Sequence, residues 1–214
     1  MSFRPDSLIF DVDGTVWDTT PVVKDAWNAA LDELGLSYAH VTADRLRGLF
    51  GLPMDAIIKD ILPDEPDSVR ERFRPVCYRY EEEYVPKRSG IVYPHFIETI
   101  RTLKGKIPMY VVSNCQSGYI ELMIEKTGLY DCFLDHLCYG DTGLLKAENI
   151  LSIIKKHKLM HPAYVGDTQM DADACKAAGV PIIYCSYGFG KVIDPDLTIS
   201  DIRQLMDIVG ITPT

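Results

Sequence analysis

Apolar positions along this chain follow two rhythms. Short unbroken runs occur at Leu8-Ile9-Phe10, Met109-Tyr110-Val111-Val112, Ala163-Tyr164-Val165 and Ile182-Ile183-Tyr184-Cys185. Runs this short, with no polar alternation, predict strands covered on both faces, as in a parallel sheet. They place strands over 7–10, 108–113, 163–165 and 181–185, with a shorter apolar piece over 136–139. Between them, apolar residues spaced three and four apart predict helices over 95–104, 116–127, 146–157 and 170–178. Gly105, Gly128 and Gly179 stand where helix C-termini favour glycine. A last helix is expected over 199–209, with Asp201 as its N-cap.

One stretch lacks the strand rhythm. From residue 19 to 88 the pattern is helical throughout. A helix is capped by Asp18-Thr19-Thr20-Pro21 and stops at Gly35, and others follow over 42–50, 54–62 and 66–84, punctuated by Pro53, Pro63 and Pro66. The alternating strands and helices predict an α/β fold, a doubly wound parallel sheet of Rossmann-like type built from 1–18 and 89–214. The run over 19–88 is then an inserted α-helical domain.

Composition narrows the partners. The chain has 214 residues, is 47% hydrophobic and carries a net charge of −9. That suits one sizeable core with an insertion and disfavours a nucleic-acid or anionic-membrane surface. No apolar run approaches the roughly 18 residues that span a bilayer. Arg4, Pro5 and Asp6 interrupt the N-terminal segment, so no signal-peptide pattern is expected. The six cysteines form no C-x-x-C pair, and the five histidines show no metal-ligand spacing. Packed, reduced thiols in a cytoplasmic protein are the expectation.

Chemistry concentrates at the ends of the apolar runs. Directly behind the first comes Asp11-Val12-Asp13-Gly14-Thr15. Two carboxylates at the end of a buried strand need pairing, hydrogen bonds or a metal. A turn at Gly14 brings Asp13 back towards the mouth that Asp11 faces. Thr15 adds a hydroxyl and a backbone N–H placed to meet an anion. The simplest use is a hard cation held by oxygens, with one carboxylate left to attack or carry a proton. Ser113 and Asn114 follow the second run, and Asp167 with Asp171 the third. All of them fall at carboxyl ends of predicted strands, where ligands bind in such sheets.

These pieces, with Lys146 and Gly166-Asp167-Thr168-Gln169-Met170-Asp171, resemble the haloacid dehalogenase superfamily, and within it the phosphoglycolate-phosphatase-like branch. They stand in that family's order and span nearly the whole chain. The resemblance implies a Mg²⁺-dependent phosphatase acting on a small phosphorylated metabolite through an aspartyl-phosphate. Asp11 would be the nucleophile and Asp13 the general acid and base. Ser113 and backbone N–H groups near Asn114 would hold the phosphoryl group, and Lys146 would neutralise it. Mg²⁺ would sit on Asp11, the carbonyl of Asp13 and Asp167, with Asp171 a partner one step further out. The insertion would be the family's mobile cap, closing over the mouth and choosing the leaving group. Arg47, beside Gly48 and Gly51, is the cap residue expected to reach an anionic leaving group. A monomer or homodimer is expected.

Departures from the family pattern are few. Lys146 is followed by Ala147 where proline is common. His95 stands at a tight turn where Pro-Gly is usual, and is read as an exposed helix-start residue. Tyr187-Gly188-Phe189-Gly190-Lys191 lacks the spacing of a phosphate-binding P-loop and is read as a rim loop. Trp17 is expected to pack. A sugar-phosphate mutase on the same core and a catalytically silent binding module are the alternatives. Asp13 disfavours a dehalogenase, and no lysine has a context that suggests phosphonate chemistry.

Overall fold

The computed structural model describes residues 4–211. Parts of the expected core and N-terminal segment, 1–3 and 212–214, lie outside the described residues. The chain folds as two compact units, Met1–Trp17 with Val92–Thr214, and Asp18–Ile91. The expected limits of the insertion were 19 and 88. Strand β1 (Ser7–Phe10) is followed by β2 (Trp17–Asp18), which pairs with β3 (Ile91–Val92) where the chain passes between the units. Two-residue strands are too short for any period to show in the sequence.

The helical unit contains α1 (Thr20–Glu33), α2 (Ala43–Leu49), α3 (Met54–Ile61) and α4 (Asp67–Arg88). Its core is built on fully buried residues such as Trp27, Leu46, Ile58 and Phe73. The sequence ended the last helix at 84, before Pro86. The helix instead runs through Pro86 and closes at Ser89, whose φ of 62° is left-handed. A proline removes one N–H bond and kinks a helix without necessarily ending it.

In the first unit, six strands pair in parallel in the order β5-β4-β1-β6-β7-β8. These are β4 (Met109–Ser113), β5 (Asp135–Cys138), β6 (Pro162–Gly166), β7 (Ile182–Cys185) and β8 (Leu197–Ile199), with β1 between β4 and β6. Helices α5 (Phe96–Leu103), α6 (Tyr119–Thr127), α7 (Tyr139–Thr142), α8 (Lys146–His157), α9 (Gln169–Ala178) and α10 (Gln204–Ile208) complete it. Successive strand residues point to opposite faces. Ile9 packs with Ile150, Tyr164 and Val180 on one face. On the other, Phe10 meets Phe96 and Phe133 edge-on, each at 5.9 Å.

The expected helix over 199–209 is corrected. The segment is strand β8, a turn, and the short α10, and Asp201 accepts from Arg203 N–H in that turn rather than capping a helix. Leu197 and Thr198 are not fully buried, so this edge strand lacks the apolar run that marks the others. Helix α6 starts at Tyr119, later than the expected 116, because Gly118 adopts a left-handed φ of 83° just before it. Among the described residues no helix is long and apolar enough to cross a membrane.

Candidate active site

Parallel register sets the site. Phe10 stands opposite Val111 of β4 and Val165 of β6, so Asp11, Ser113 and Asp167 leave the sheet at one carboxyl edge. Asp11 N–H extends the ladder by donating to the Val165 carbonyl at 2.9 Å. The chain then turns sharply. The Val12 carbonyl accepts from Val16 N–H at 2.8 Å and Thr15 N–H at 3.3 Å. Gly14 sits in this turn with φ +81°, and a Cβ there would lie 2.1 Å from Asp167 Oδ2. Both conformation and crowding therefore require glycine. The Thr15 N–H is used within the turn, and its hydroxyl donates to Asp167 Oδ1 at 3.2 Å.

Lys146 is the first residue of α8, and its ammonium lies between two carboxylates, 3.0 Å from Asp11 Oδ2 and 2.5 Å from Asp171 Oδ1. The preceding loop is pinned by Asn149, which donates to the Leu144 carbonyl at 3.0 Å and accepts from the Thr142 hydroxyl at 2.9 Å. The Lys146 ammonium also lies 5.6 Å from the centre of the Tyr164 ring. Asp171 caps its own helix. Its Oδ2 accepts from Asp167 N–H, Thr168 N–H and the Thr168 hydroxyl at 3.1, 2.9 and 2.7 Å. Both Asp171 oxygens are thus committed to protein donors.

Asp11, Asp167 and Asp171 each bring a carboxylate oxygen within 4.8 Å of the others, and all three are buried. Burial pushes the Asp11 carboxyl up to about 6, against the pull of Lys146 and with Asp171 adding repulsion. Burial, then the charges of Asp171 and Asp11, hold Asp167 well above the usual carboxylate range. For Asp171 burial is outweighed by Lys146 and by the Thr168 hydrogen bonds, and its pKa is lowered. Burial would lower Lys146, but Asp11 and Asp171 together raise it. One ammonium thus faces three buried carboxylates, and Asp11 Oδ1 is buried with no hydrogen-bond partner. A divalent cation on oxygen ligands fits this donor set. Within the cluster the Asp167 oxygens accept from Thr15 and Phe189 and the Asp171 oxygens from Lys146, Thr168 and Asp167 N–H, which leaves Asp11 Oδ1 as the carboxylate oxygen without a donor.

The other expected residues are placed as follows. Asp13 is half-buried and is not among the three clustered carboxylates, and its Oδ1 accepts from the Tyr119 hydroxyl at 2.8 Å. Ser113 ends β4 and is buried, and Asn114 follows in the loop to α6. In the helical unit, Arg47 donates from Nε and Nη2 to Asp18 Oδ2 at 3.1 and 2.8 Å, and from Nη1 to Asp44 Oδ1 at 2.6 Å. His95 is exposed with φ 64°, the left-handed conformation for which glycine is usual. Trp17 is fully buried and packs edge-on against Tyr119.

Two features escaped the sequence. The expected rim loop at 187–191 packs directly on Asp167. Phe189 N–H donates to Asp167 Oδ2 at 2.7 Å, the Tyr187 hydroxyl donates to the Thr15 carbonyl at 3.1 Å, and a Cβ on Gly188 would lie 2.3 Å from Asp167 Cβ. The two glycines were the only signal, and they do not name their partner. Tyr119 is the second, carrying no mark that separates it from any aromatic residue opening a helix.

Residues 8–185 match the family model described as haloacid dehalogenase-like hydrolase. The phosphoglycolate phosphatase of Agrobacterium fabrum is 31% identical over 96% of this chain and 93% of that protein. The phosphoglycolate phosphatase of Photobacterium profundum is 27% identical over 94% of each. Among solved structures, a predicted phosphoglycolate phosphatase from Haemophilus somnus superposes with a TM-score of 0.85 at 20% identity. It covers 95% of this chain and 97% of that one. At that identity the likeness shows the fold.

Proposed function

The chain belongs to the haloacid dehalogenase-like hydrolases and is a phosphatase, a phosphoric monoester hydrolase, and on that premise we propose that it cleaves small phosphate monoesters through a phosphoryl group carried on Asp11. The observation that carries this reading is the separation of two carboxylates only two residues apart. Asp11 is paired with Lys146 and keeps Oδ1 unbonded, while Asp13 is not among the clustered carboxylates and accepts from Tyr119. One is fitted to attack and the other to carry a proton.

An Asp11 oxygen attacks phosphorus as the ester P–O bond breaks, and Asp13 gives its proton to the departing alkoxide. Water then attacks phosphorus, the Asp11–phosphorus link breaks, and Asp13 takes the proton back. Lys146 balances the charge on Asp11 and the phosphoryl oxygens, and Asp171 fixes the lysine in place. Ser113, with the N–H groups near Asn114, holds the phosphoryl oxygens. Thr15 acts through its bond to Asp167 rather than through its N–H. Asp11, Asp167 and the Asp13 carbonyl would hold Mg²⁺, which when bound supplies positive charge to the phosphoryl oxygens and to this acidic cluster.

The names of the relatives make 2-phosphoglycolate the first ester to test, within a small anionic metabolite class. Arg47 remains the helical unit's candidate for an anionic leaving group, a role that requires it to exchange Asp18 for substrate. The six free thiols suit the cytoplasm, where they stay reduced. The test is hydrolysis of a phosphate-ester panel with Mg²⁺ and with chelator. Mg²⁺-dependent release of phosphate is expected, lost in Asp11→Asn. Full turnover in excess chelator would remove the metal from the account.

A further inference from the structure

We propose that Tyr119 is a positioning residue for Asp13, holding its carboxyl group in one orientation for proton exchange. The inference rests on Asp13 being the general acid and base. The Tyr119 hydroxyl donates to Asp13 Oδ1 at 2.8 Å across 106 residues of sequence. A carboxyl group turns about its own bond and presents either oxygen unless one is tied. With Oδ1 accepting from Tyr119, that rotation is restrained. Holding a proton donor in its reacting geometry removes an orientational cost from each step.

Tyr119 is itself rigidly placed. Its ring is 6% exposed and lies edge-on to the fully buried Trp17, centroids 5.7 Å apart at 65°. Trp17 O accepts from Gly14 N–H at 2.9 Å, so the residue that braces Tyr119 belongs to the same turn as Asp13. At the other end, Gly118 in left-handed conformation starts α6 at Tyr119, six residues past the end of β4 that carries Ser113. One short connection therefore delivers both Ser113 and the hydroxyl that orients Asp13. A tyrosine needed only for packing has no use for a hydroxyl aimed at a half-buried carboxylate, because its ring already fills the space beside Trp17.

Tyr119→Phe removes the oxygen and keeps the ring, so the melting temperature should be nearly unchanged. The readout is the leaving group. With Mg²⁺ present, kcat/KM for 2-phosphoglycolate, whose alkoxide needs a proton, should fall about tenfold with KM nearly constant. For p-nitrophenyl phosphate, whose phenolate leaves unprotonated, kcat/KM should be unchanged. Its kcat should drop and a burst of phenolate appear, because Asp13 must still activate water in the second step. The variant is measured beside Asp13→Asn and the double variant. If Tyr119 acts through Asp13, adding Tyr119→Phe to Asp13→Asn should cause no further loss. Equal loss of kcat/KM on both esters, additive losses in the double variant, or no loss at all would overturn the inference while leaving the role of Asp13 standing. If Asp13→Asn itself fails to distinguish the two esters, the general-acid role fails, and this inference with it.

Discussion

At the carboxyl edge of the parallel sheet, Asp11, Lys146, Asp167 and Asp171 share one buried cluster. In the helical unit, Arg79 with Glu33, Arg88 with Asp25 and Arg45 with Asp60 lie along exposed helix faces. Water screens the second set, and side-chain entropy offsets most of what they gain. Burying the first set costs several kcal/mol per ion before attraction is counted, on the order of what a whole domain has to spare. Nothing in core packing recovers that cost, because a well-packed apolar side chain would do better at each position. The charges at the sheet edge are buried at a cost that packing does not explain, whereas those in the helices are surface. Glu81, buried in the helical unit, marks the boundary of this rule. It accepts from the Trp27 indole and the Cys77 thiol, neutral donors that suit a structural group.

The largest effect should come from breaking the sheet's balance. Lys146→Met leaves three buried carboxylates without their ammonium. In chelator at neutral pH it should cost about 3–5 kcal/mol by denaturant unfolding and abolish turnover. A loss no larger than that of an exposed lysine would mean the cluster is not electrostatically strained.

Gly188→Ala should come next. The added Cβ would press on Asp167 and on the Gly14 carbonyl, 2.3 and 2.4 Å away. Shifting this support should weaken Mg²⁺ activation roughly 10–100-fold, read from the Mg²⁺ concentration for half-maximal rate, with modest loss of stability.

A smaller effect should separate the units by pH. Asp11 rises from 3.8 to about 6 in the fold, and Asp167 is also raised. Folded protein therefore holds protons that the unfolded chain has released, and stability in chelator should fall as pH rises from about 4 through about 6. Asp171 is lowered, so its contribution is lost only as pH falls below 3.8 and does not offset the trend. Mg²⁺ should flatten the slope at the upper end of the window. A chelated protein equally stable across this range would contradict the strain. At the small end, Arg79→Ala on the helical surface should leave the denaturation midpoint within error at any of these pH values. A clear shift would break the contrast from the other side.

The same contrast explains what was legible in the sequence. Ser7–Phe10 was bounded correctly because the unbroken apolar run Leu8-Ile9-Phe10 has no solvent face to offer. The strand-end polar residues Asp11, Ser113 and Asp167 reach one edge because parallel strands share a direction. That Asp171 would grip Lys146 was not legible, since a capping-box aspartate and a lysine's counter-ion look alike in sequence. Backbone donors such as Phe189 N–H carry no residue signature at all. Tyr119 meets Asp13 only through tertiary placement, and β8 lacked the unbroken apolar run that marked the other strands. The pairing of Arg47 with Asp18 likewise follows from how α2 lies against the start of α1, which no local pattern encodes.

The account stands most directly on the phosphoryl group carried by Asp11. Borohydride added during turnover reduces an acyl phosphate to an alcohol, and peptide mass spectrometry then locates the altered residue. With Mg²⁺ and 2-phosphoglycolate or p-nitrophenyl phosphate, reduction should appear at position 11 alone, be enriched in Asp13→Asn, where the second step is slowed, and vanish in Asp11→Asn together with turnover. Sustained hydrolysis with position 11 unmodified, or with Asp11→Asn still active, would contradict it.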